Sequence, residues 1–183
     1  MTVTWVVLAG LPGTGKSTLA RAVSARLGGT VLDKDRVREA LFPGVMTDYT
    51  REQDDLCVRA MLEAAAYLTS RRKVLYIFID GRTFSKRDQI DEVVQAAERA
   101  GARWRILHVT CSDAAAEARL SRPDRENPAK NRDVALYRRV KEGFEPIAYP
   151  KLDVDTTEGV DVGWRRCAGG SKAEPSGGNS PQY

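Results

Sequence analysis

Histidine is nearly absent from this sequence, and cysteine is scarce. The 183 residues include one histidine, His108, and three cysteines, Cys57, Cys111 and Cys167. Metal sites with several histidine ligands are therefore excluded. His108 lies in an apolar segment typical of a strand, where we expect an interior or strand-edge residue rather than a catalytic one. The odd number of cysteines, none in a CxxC pair, argues against a disulfide framework and a zinc site.

Long hydrophobic runs are missing as well. The longest apolar stretches, around residues 6–11 and 74–79, fall short of the roughly 20 residues that a membrane-spanning helix needs. The first five residues carry no basic flank, so we expect no signal peptide. With 42% hydrophobic and 30% charged residues, the chain can form one packed α/β domain, and we expect it in the cytoplasm.

Positive charge is unevenly distributed along the chain, whose net charge is +4. Between residues 119 and 141, eight basic residues oppose three acidic ones. A general nucleic-acid surface spreads its positive charge more widely. The local excess therefore favours a site for a compact polyanion.

Strand and helix patterns alternate, which is typical of a parallel sheet covered by helices on both faces. Predicted strands cover residues 3–9, 30–32, 74–79, 104–109 and 152–155. Predicted helices cover residues 16–27, 36–41, 114–120 and 133–143, and two more begin at the caps Thr50 and Ser85. We expect a folded domain over residues 1–158 and a flexible tail over residues 159–183, which lack periodicity.

The two helices with predicted caps also have predicted buried faces. After Thr50, the apolar residues with helical spacing are Leu56, Ala60, Met61, Ala64 and Leu68. After Ser85, they are Ile90, Val93, Val94 and Ala97. These sets are the faces that we expect to pack against the sheet.

Residues 10–17 read GLPGTGKS, which matches the pattern G-x-x-x-x-G-K-S between a buried strand and a helix. Glycines at positions 13 and 15 permit a close backbone approach that a Cβ forbids. Backbone amides can then converge on phosphate oxygens at the positive end of the helix. Lys16 is predicted to reach the β- and γ-phosphates, and the Ser17 hydroxyl to bind Mg²⁺. The predicted nucleotide-binding residues are Gly13, Thr14, Gly15, Lys16, Ser17 and Thr18.

Two segments that a GTPase needs are missing from the chain. There is no N/T-K-x-D segment to read guanine, and residues 80–83 do not fit the D-x-x-G switch. A ring-forming ATPase needs a longer chain with a helical lid domain. These exclusions favour a small kinase, in which one strand delivers a carboxylate to the acceptor and an arginine-rich lid closes over the nucleotide.

Acidic residues follow the second and third predicted strands. Ligands of a parallel sheet bind at the carboxyl ends of its strands. Because only Asp35 has the D-x-x-R spacing to Arg38, we predict Asp35 as the general base and Arg38 as the ligand of the acceptor or of a transferring oxygen. Asp33 is the weaker candidate, and either aspartate could instead simply cap the helix. Asp80 is predicted to hold the Mg²⁺ hydration shell or to orient Arg38, the alternative being an aspartate of the turn.

Three arginines are further candidates. We place a lid at about residues 121–133, with Arg122 on phosphate and Arg119 stacked on adenine, because guanidinium groups stabilise the charge of a transferring phosphoryl group. An ordinary solvated basic loop is the alternative. Arg87 could reach the site or be an exposed arginine at a helix start.

These motifs resemble the phosphate-loop kinases grouped with polynucleotide 5′-kinase, zeta toxins and chloramphenicol phosphotransferase. The matching residues, within about 3–157, are 10–18, Asp33-x-Asp35-x-x-Arg38, Asp80 with Thr83, Phe84 and Arg87, Arg119 with Arg122, and Phe144-Glu145-Pro146. The resemblance implies a P-loop NTPase fold, an α/β/α arrangement with a parallel five-stranded sheet in the order 2-3-1-4-5. It also implies ATP, Mg²⁺, Asp35 as base and Arg38 as acceptor ligand. Residues 33–38 also resemble adenylylsulfate kinase, whose later aromatic and Lys-Gly-Leu-Tyr motifs are missing here.

The acceptor is predicted from the segment after the second strand. Phe42, Met46 and Tyr49 could line a pocket or pack the loop onto the next helix. Residues 41–55 carry one arginine and four acids, which favours a small neutral or cationic hydroxyl compound, such as an antibiotic, nucleoside or sugar-like metabolite, over a nucleic-acid end. A nucleic-acid 5′-hydroxyl kinase and an ATP-binding switch or adaptor stay open as alternatives. The sequence does not predict an oligomeric state.

Overall fold

A computed structural model describes residues 2–122 and 133–161. Its strands are β1 Thr4–Ala9, β2 Thr30–Asp33, β3 Tyr76–Asp80, β4 Arg103–Thr110 and β5 Leu152–Asp155. They form one parallel sheet in the order β2-β3-β1-β4-β5. The predicted fold class and strand order are therefore confirmed.

Six α-helices lie within the described residues. They are α1 Lys16–Leu27, α2 Lys34–Leu41, α3 Arg51–Arg71, α4 Arg87–Arg99, α5 Asp113–Leu120 and α6 Val134–Glu142. A short 3-10 turn, Gly44–Met46, connects α2 to α3. Every helix in this part of the chain is too short or too polar to cross a bilayer. Most of the predicted lid and most of the predicted tail lie outside the described residues.

The sheet carries a hydrophobic core on each face, which makes three layers. In β1, Trp5 and Val7 belong to one core, and Val6 and Leu8 belong to the other. The first core packs under α3 and α4, and the second under α1. Because both faces of β1 are covered, its sequence is apolar without alternation, as expected for a central parallel strand.

The predicted buried face of α3 is wrong by one position around the helix. Its buried residues are Gln53, Cys57, Val58, Met61, Leu62, Ala65 and Thr69. Of the predicted set, Met61 is buried and Leu68 packs against the core partly buried, whereas Leu56 is 43% exposed. The buried row includes two polar residues that have partners. Gln53 binds backbone groups of Met46 and Asp48, and Thr69 accepts the indole N–H of Trp5 at 2.9 Å.

The predicted cap of α4 is also wrong, although its predicted buried face is confirmed. The helix begins at Arg87 rather than directly after Ser85, and Lys86 occupies the cap position. The Glu145 carboxylate accepts the Arg87 backbone N–H at 2.9 Å and the Lys86 ammonium at 3.0 Å. A residue 58 positions away thus accepts a backbone N–H of the first turn of α4, a contact that no local pattern reveals.

Candidate active site

The connection between β1 and α1 folds as a tight loop around its glycines. Gly10 has a φ of +140°, and a Cβ there would lie 2.2 Å from the Val109 carbonyl oxygen. Gly15, with a φ of +86°, is the N-cap residue of α1 and has no side chain to cap it. The first-turn N–H groups of α1 thus receive no side-chain cap from this position. This arrangement suits an anion, as the motif predicts.

Lys16 lies over this loop rather than in solvent. Its side chain is buried, and the ammonium donates to the carbonyl oxygens of Gly10 and Leu11, both at 2.8 Å. The Thr14 hydroxyl donates to the same Leu11 oxygen at 2.9 Å. The cation is therefore already held beside the loop that the motif assigns to phosphate.

The two aspartates after β2 have different partners. Asp33 is the N-cap of α2, and its carboxylate accepts the Asp35 backbone N–H at 2.9 Å. The Asp35 carboxylate lies 2.7 Å from the Arg38 guanidinium, and both side chains are buried. The capping alternative thus applies to Asp33. The D-x-x-R spacing brings Asp35 and Arg38 together as predicted.

Asp80 lies beside Asp33, since the two residues are paired in register at the ends of β3 and β2. Asp80 is 1% exposed, and neither of its carboxylate oxygens has a hydrogen-bond partner among the described residues. Burial, followed by the charge of Asp80, raises the pKa of Asp33 above its usual value. Two carboxylates side by side, one of them fully buried, repel each other. The two Asp80 oxygens, unpartnered in the described part of the chain, fit a hydrated Mg²⁺ ion, for which the Ser17 hydroxyl in the first turn of α1 is the other predicted ligand.

Four further residues, none of them predicted as a site residue, complete a cluster around Asp35 and Arg38. The Lys34 ammonium lies 2.9 Å from Asp54 and 3.4 Å from Asp35, and Arg38 also contacts Asp54. The buried Arg82 guanidinium lies 2.6 Å from Asp55. We call this set the charged cluster; its members are Lys34, Asp35, Arg38, Asp54, Asp55 and Arg82.

The charged cluster contains three cations and three carboxylates. The excess of acids in residues 41–55 therefore does not describe it, because Asp54 and Asp55 are paired with cations from α2 and from the turn after β3. Burial lowers the pKa of the Lys34 ammonium to about 8, although the charge of Asp35 acts in the opposite direction. Arg82 follows Asp80 and Gly81 in the sequence, and its place directly after a strand end was the sign that it could be a third cation near the site.

The aromatic and apolar candidates after α2 differ in position. The Arg38 guanidinium carbon lies 5.1 Å from the centre of the Tyr49 ring, within range of a cation–π contact. Phe42 is half-buried, and Met46 is exposed. Tyr49 thus adjoins the charged cluster, and the structure gives no such contact for the other two.

The remaining candidates lie outside the charged cluster. Arg119 reaches the phosphate loop, where it donates to the Gly13 carbonyl at 3.3 Å. Arg122 is exposed beside the undescribed part of the predicted lid. The side chain of Arg87 is 72% exposed and lies 3.8 Å from Asp91, so it is the exposed arginine at a helix start. His108 lies 2.6 Å from the Asp153 carboxylate on β5, as a satisfied strand residue.

A family model described as an AAA domain matches residues 6–147. The chain belongs to this family. No curated protein matches this AAA-domain chain.

Solved structures resemble this AAA domain over nearly its whole length. The APS kinase of Mycobacterium tuberculosis in complex with AMPPNP and APS is 16% identical, with a TM-score of 0.66, covering 92% of this chain and 96% of that one. A sugar kinase from Janibacter sp. HTCC2649 is 16% identical, with a TM-score of 0.63 and coverages of 91% and 92%. A gluconokinase from Sinorhizobium meliloti is 15% identical, with a TM-score of 0.62 and coverages of 91% and 90%. At these identities the likeness shows a common fold. The finer resemblance to polynucleotide kinase and zeta toxins is not confirmed.

Proposed function

We propose that this AAA domain is an ATP-dependent kinase that transfers the γ-phosphate to a hydroxyl group of a small molecule. The observation that carries the proposal is the buried Asp35–Arg38 pair, which lies at the same edge of the sheet as the phosphate loop. A parallel sheet binds its ligands at this edge. An APS kinase, a sugar kinase and a gluconokinase have this fold, which supports a small-molecule acceptor.

On the nucleotide side, the amides of residues 13–18 would hold the phosphates, and Lys16 would exchange its carbonyl partners for phosphate oxygens. Ser17 and Asp80 would hold Mg²⁺, which when bound neutralises phosphate charge. Arg119 contacts the phosphate loop, and we propose that it stacks on adenine. We propose that Arg122, in a lid at about residues 121–133, binds phosphate.

On the acceptor side, the hydroxyl oxygen of the acceptor would form a bond to the γ-phosphorus. Asp35 would accept the proton of that hydroxyl group. The bond from that phosphorus to the bridging oxygen breaks, and ADP leaves with the electron pair. Arg38 would orient the attacking oxygen, because its guanidinium already lies against the Asp35 carboxylate. The proton thus ends on Asp35, and the phosphoryl group ends on the acceptor.

The charged cluster also indicates the class of acceptor. It places carboxylate acceptors beside cationic donors, and the Tyr49 ring adjoins Arg38. Acceptors and donors side by side suit a compound with several hydroxyl groups, so we propose a sugar-like metabolite, nucleoside or antibiotic, handled in the cytoplasm. We propose that the kinase domain covers residues 1–158 and that Val160, which packs on the core under α1, adds to it.

The test is release of ADP from ATP and Mg²⁺ with a panel of sugars, sugar acids, nucleosides, hydroxylated antibiotics and a 5′-hydroxyl oligonucleotide. We expect one class of small hydroxyl compound to raise ADP release strongly, with a labelled phosphate on the product. Stimulation by the oligonucleotide alone would indicate a nucleic-acid kinase instead. Tight ATP binding with no stimulation by any compound would indicate a switch or adaptor.

A further inference from the structure

A threonine after the last strand contacts the phosphate loop from outside. Thr156 is 0% exposed, and its hydroxyl lies 2.7 Å from the Thr14 carbonyl oxygen. The Thr110 carbonyl, at 3.1 Å, is a second acceptor for the same proton and also receives the Thr156 backbone N–H at 2.8 Å. Thr156 therefore ties the end of β4 to the middle of the loop.

The same threonine holds the guanidinium of Arg119, which comes from α5. One arginine nitrogen donates to the Thr156 hydroxyl at 3.1 Å and to the Gly13 carbonyl at 3.3 Å. The other terminal nitrogen donates to the Thr156 carbonyl at 2.5 Å. Because these bonds use the edge of the planar group, they fix its plane and leave its faces to other contacts.

Arg119 and Thr156 both donate hydrogen bonds to carbonyl oxygens of the phosphate loop. Gly13 and Thr14 both have their carbonyl oxygens occupied by Arg119 and Thr156. A Cβ at Gly15 would lie 3.8 Å from the Thr156 hydroxyl and 3.9 Å from Arg119, so both groups also pack against the start of α1. Peptide groups held by their carbonyls keep the attached amides in one orientation.

We propose that Thr156 is a positioning residue for the nucleotide, holding the phosphate loop through Thr14 and the plane of Arg119 through its hydroxyl and carbonyl. The inference rests on the proposed binding of ATP and adds a role that the phosphate-loop motif does not contain. Loss of the hydroxyl leaves the Thr14 oxygen and one Arg119 N–H without this partner. The main effect then falls on nucleotide affinity rather than on turnover at saturating ATP.

The experiment measures ATP binding to full-length protein by calorimetry in the presence of Mg²⁺. T156V keeps the side-chain shape without the hydroxyl, and T156S keeps the hydroxyl as the matched control. We expect T156V to weaken ATP binding about 10- to 100-fold and T156S to bind within about threefold of wild type. Equal weakening in T156V and T156S, or wild-type affinity in T156V, would overturn the proposal.

A double-mutant cycle with R119M separates positioning from general destabilisation. If Thr156 acts through Arg119, T156V loses less affinity in the R119M background than in wild type, whereas full additivity counts against the link. Should T156V not fold, R119M removes the contact between Arg119 and Thr156 at the half-buried Arg119 instead. Unchanged ATP affinity in R119M would then overturn the proposal. Absence of ATP binding by the wild-type chain would instead refute the proposed function.

Discussion

At the scale of single residues, Asp33 and Asp35 differ in what their carboxylates contact. The Asp33 carboxylate accepts a backbone N–H of α2, and an amide oxygen can accept the same bond. The Asp35 carboxylate lies against Arg38 and is the base that we propose. The two residues therefore form a matched pair for mutation.

We expect D35N to lower turnover roughly 10²- to 10⁴-fold with little change in ATP affinity, because an amide cannot accept the hydroxyl proton. D33N is the control, and we expect it to change turnover far less because the helix cap is kept. The measurement is steady-state ADP release at saturating ATP with the acceptor from the screen. Near-normal turnover in D35N would remove Asp35 from the mechanism.

Lys34 gives a prediction about pH. Burial lowers its pKa to about 8 in the folded protein, below the ordinary lysine value of 10.5. Between these two values the unfolded chain binds more protons than the folded chain, so this residue makes stability rise as pH rises. From about pH 7 to about pH 9.5, Lys34 should add about 2 kcal/mol to the free energy of unfolding.

The variant K34M isolates this contribution from other groups that titrate in the same range. Urea unfolding of both proteins at the two pH values gives the difference in unfolding free energy. We expect that difference to move in favour of the wild type at the higher pH. A difference that stays constant with pH would show that Lys34 keeps its ordinary pKa.

At the scale of elements, the turn after β3 sets the distance between β3 and the start of α2. Gly81 has a φ of +90°, and a Cβ there would lie 2.7 Å from the Lys34 backbone nitrogen and 3.0 Å from the Asp33 carboxylate. The contact with the Lys34 nitrogen is shorter than a Cβ tolerates, and the contact with Asp33 is tight. Only glycine lets β3 and α2 approach this closely while Asp80 and Arg82 flank the turn.

We therefore expect G81A to lower the free energy of unfolding by about 2–4 kcal/mol and to reduce turnover, because it displaces the first turn of α2. G101A is the control. Gly101 has a φ of +67° with nothing within 4 Å of its Cβ position, so alanine there costs about 1 kcal/mol of backbone strain. Thermal or urea unfolding measures both, and equal losses would contradict the steric argument.

The α3 helix shows why hydrophobic spacing alone can choose the wrong face. The row that contains Leu56 is apolar at four positions, yet the row that packs on the sheet includes Gln53 and Thr69. Both polar side chains have partners far along the chain or in the preceding loop, such as Trp5. A partnered polar side chain can be buried at little cost, and its partner is invisible to periodicity.

At the scale of the whole molecule, the sequence predicted what depends on local patterns. The glycine-lysine loop, the alternation of strands and helices, and the Asp35–Arg38 spacing are all short-range, and the structure contains each of them. The charged cluster depends on pairs such as Lys34 with Asp54 and Arg82 with Asp55, which are 20 and 27 positions apart. A count of the acidic residues within residues 41–55 could not show that cations from other segments would pair with them.

The end of the folded domain yields the last prediction, because described contacts continue past residue 158. Val160 packs on the core under α1, and its side chain lies 3.3 Å from a Cβ position at Gly15. We expect a chain ending at Asp161 to keep the melting temperature and ATP affinity of the full chain. A chain ending at Glu158 should melt about 2–4 °C lower and bind ATP more weakly, and V160A in the full chain should reproduce much of that loss. Calorimetry measures the melting temperature and the ATP affinity of each chain. Loss of ATP binding in the chain that ends at Asp161 would show that residues 162–183 contribute to the nucleotide site.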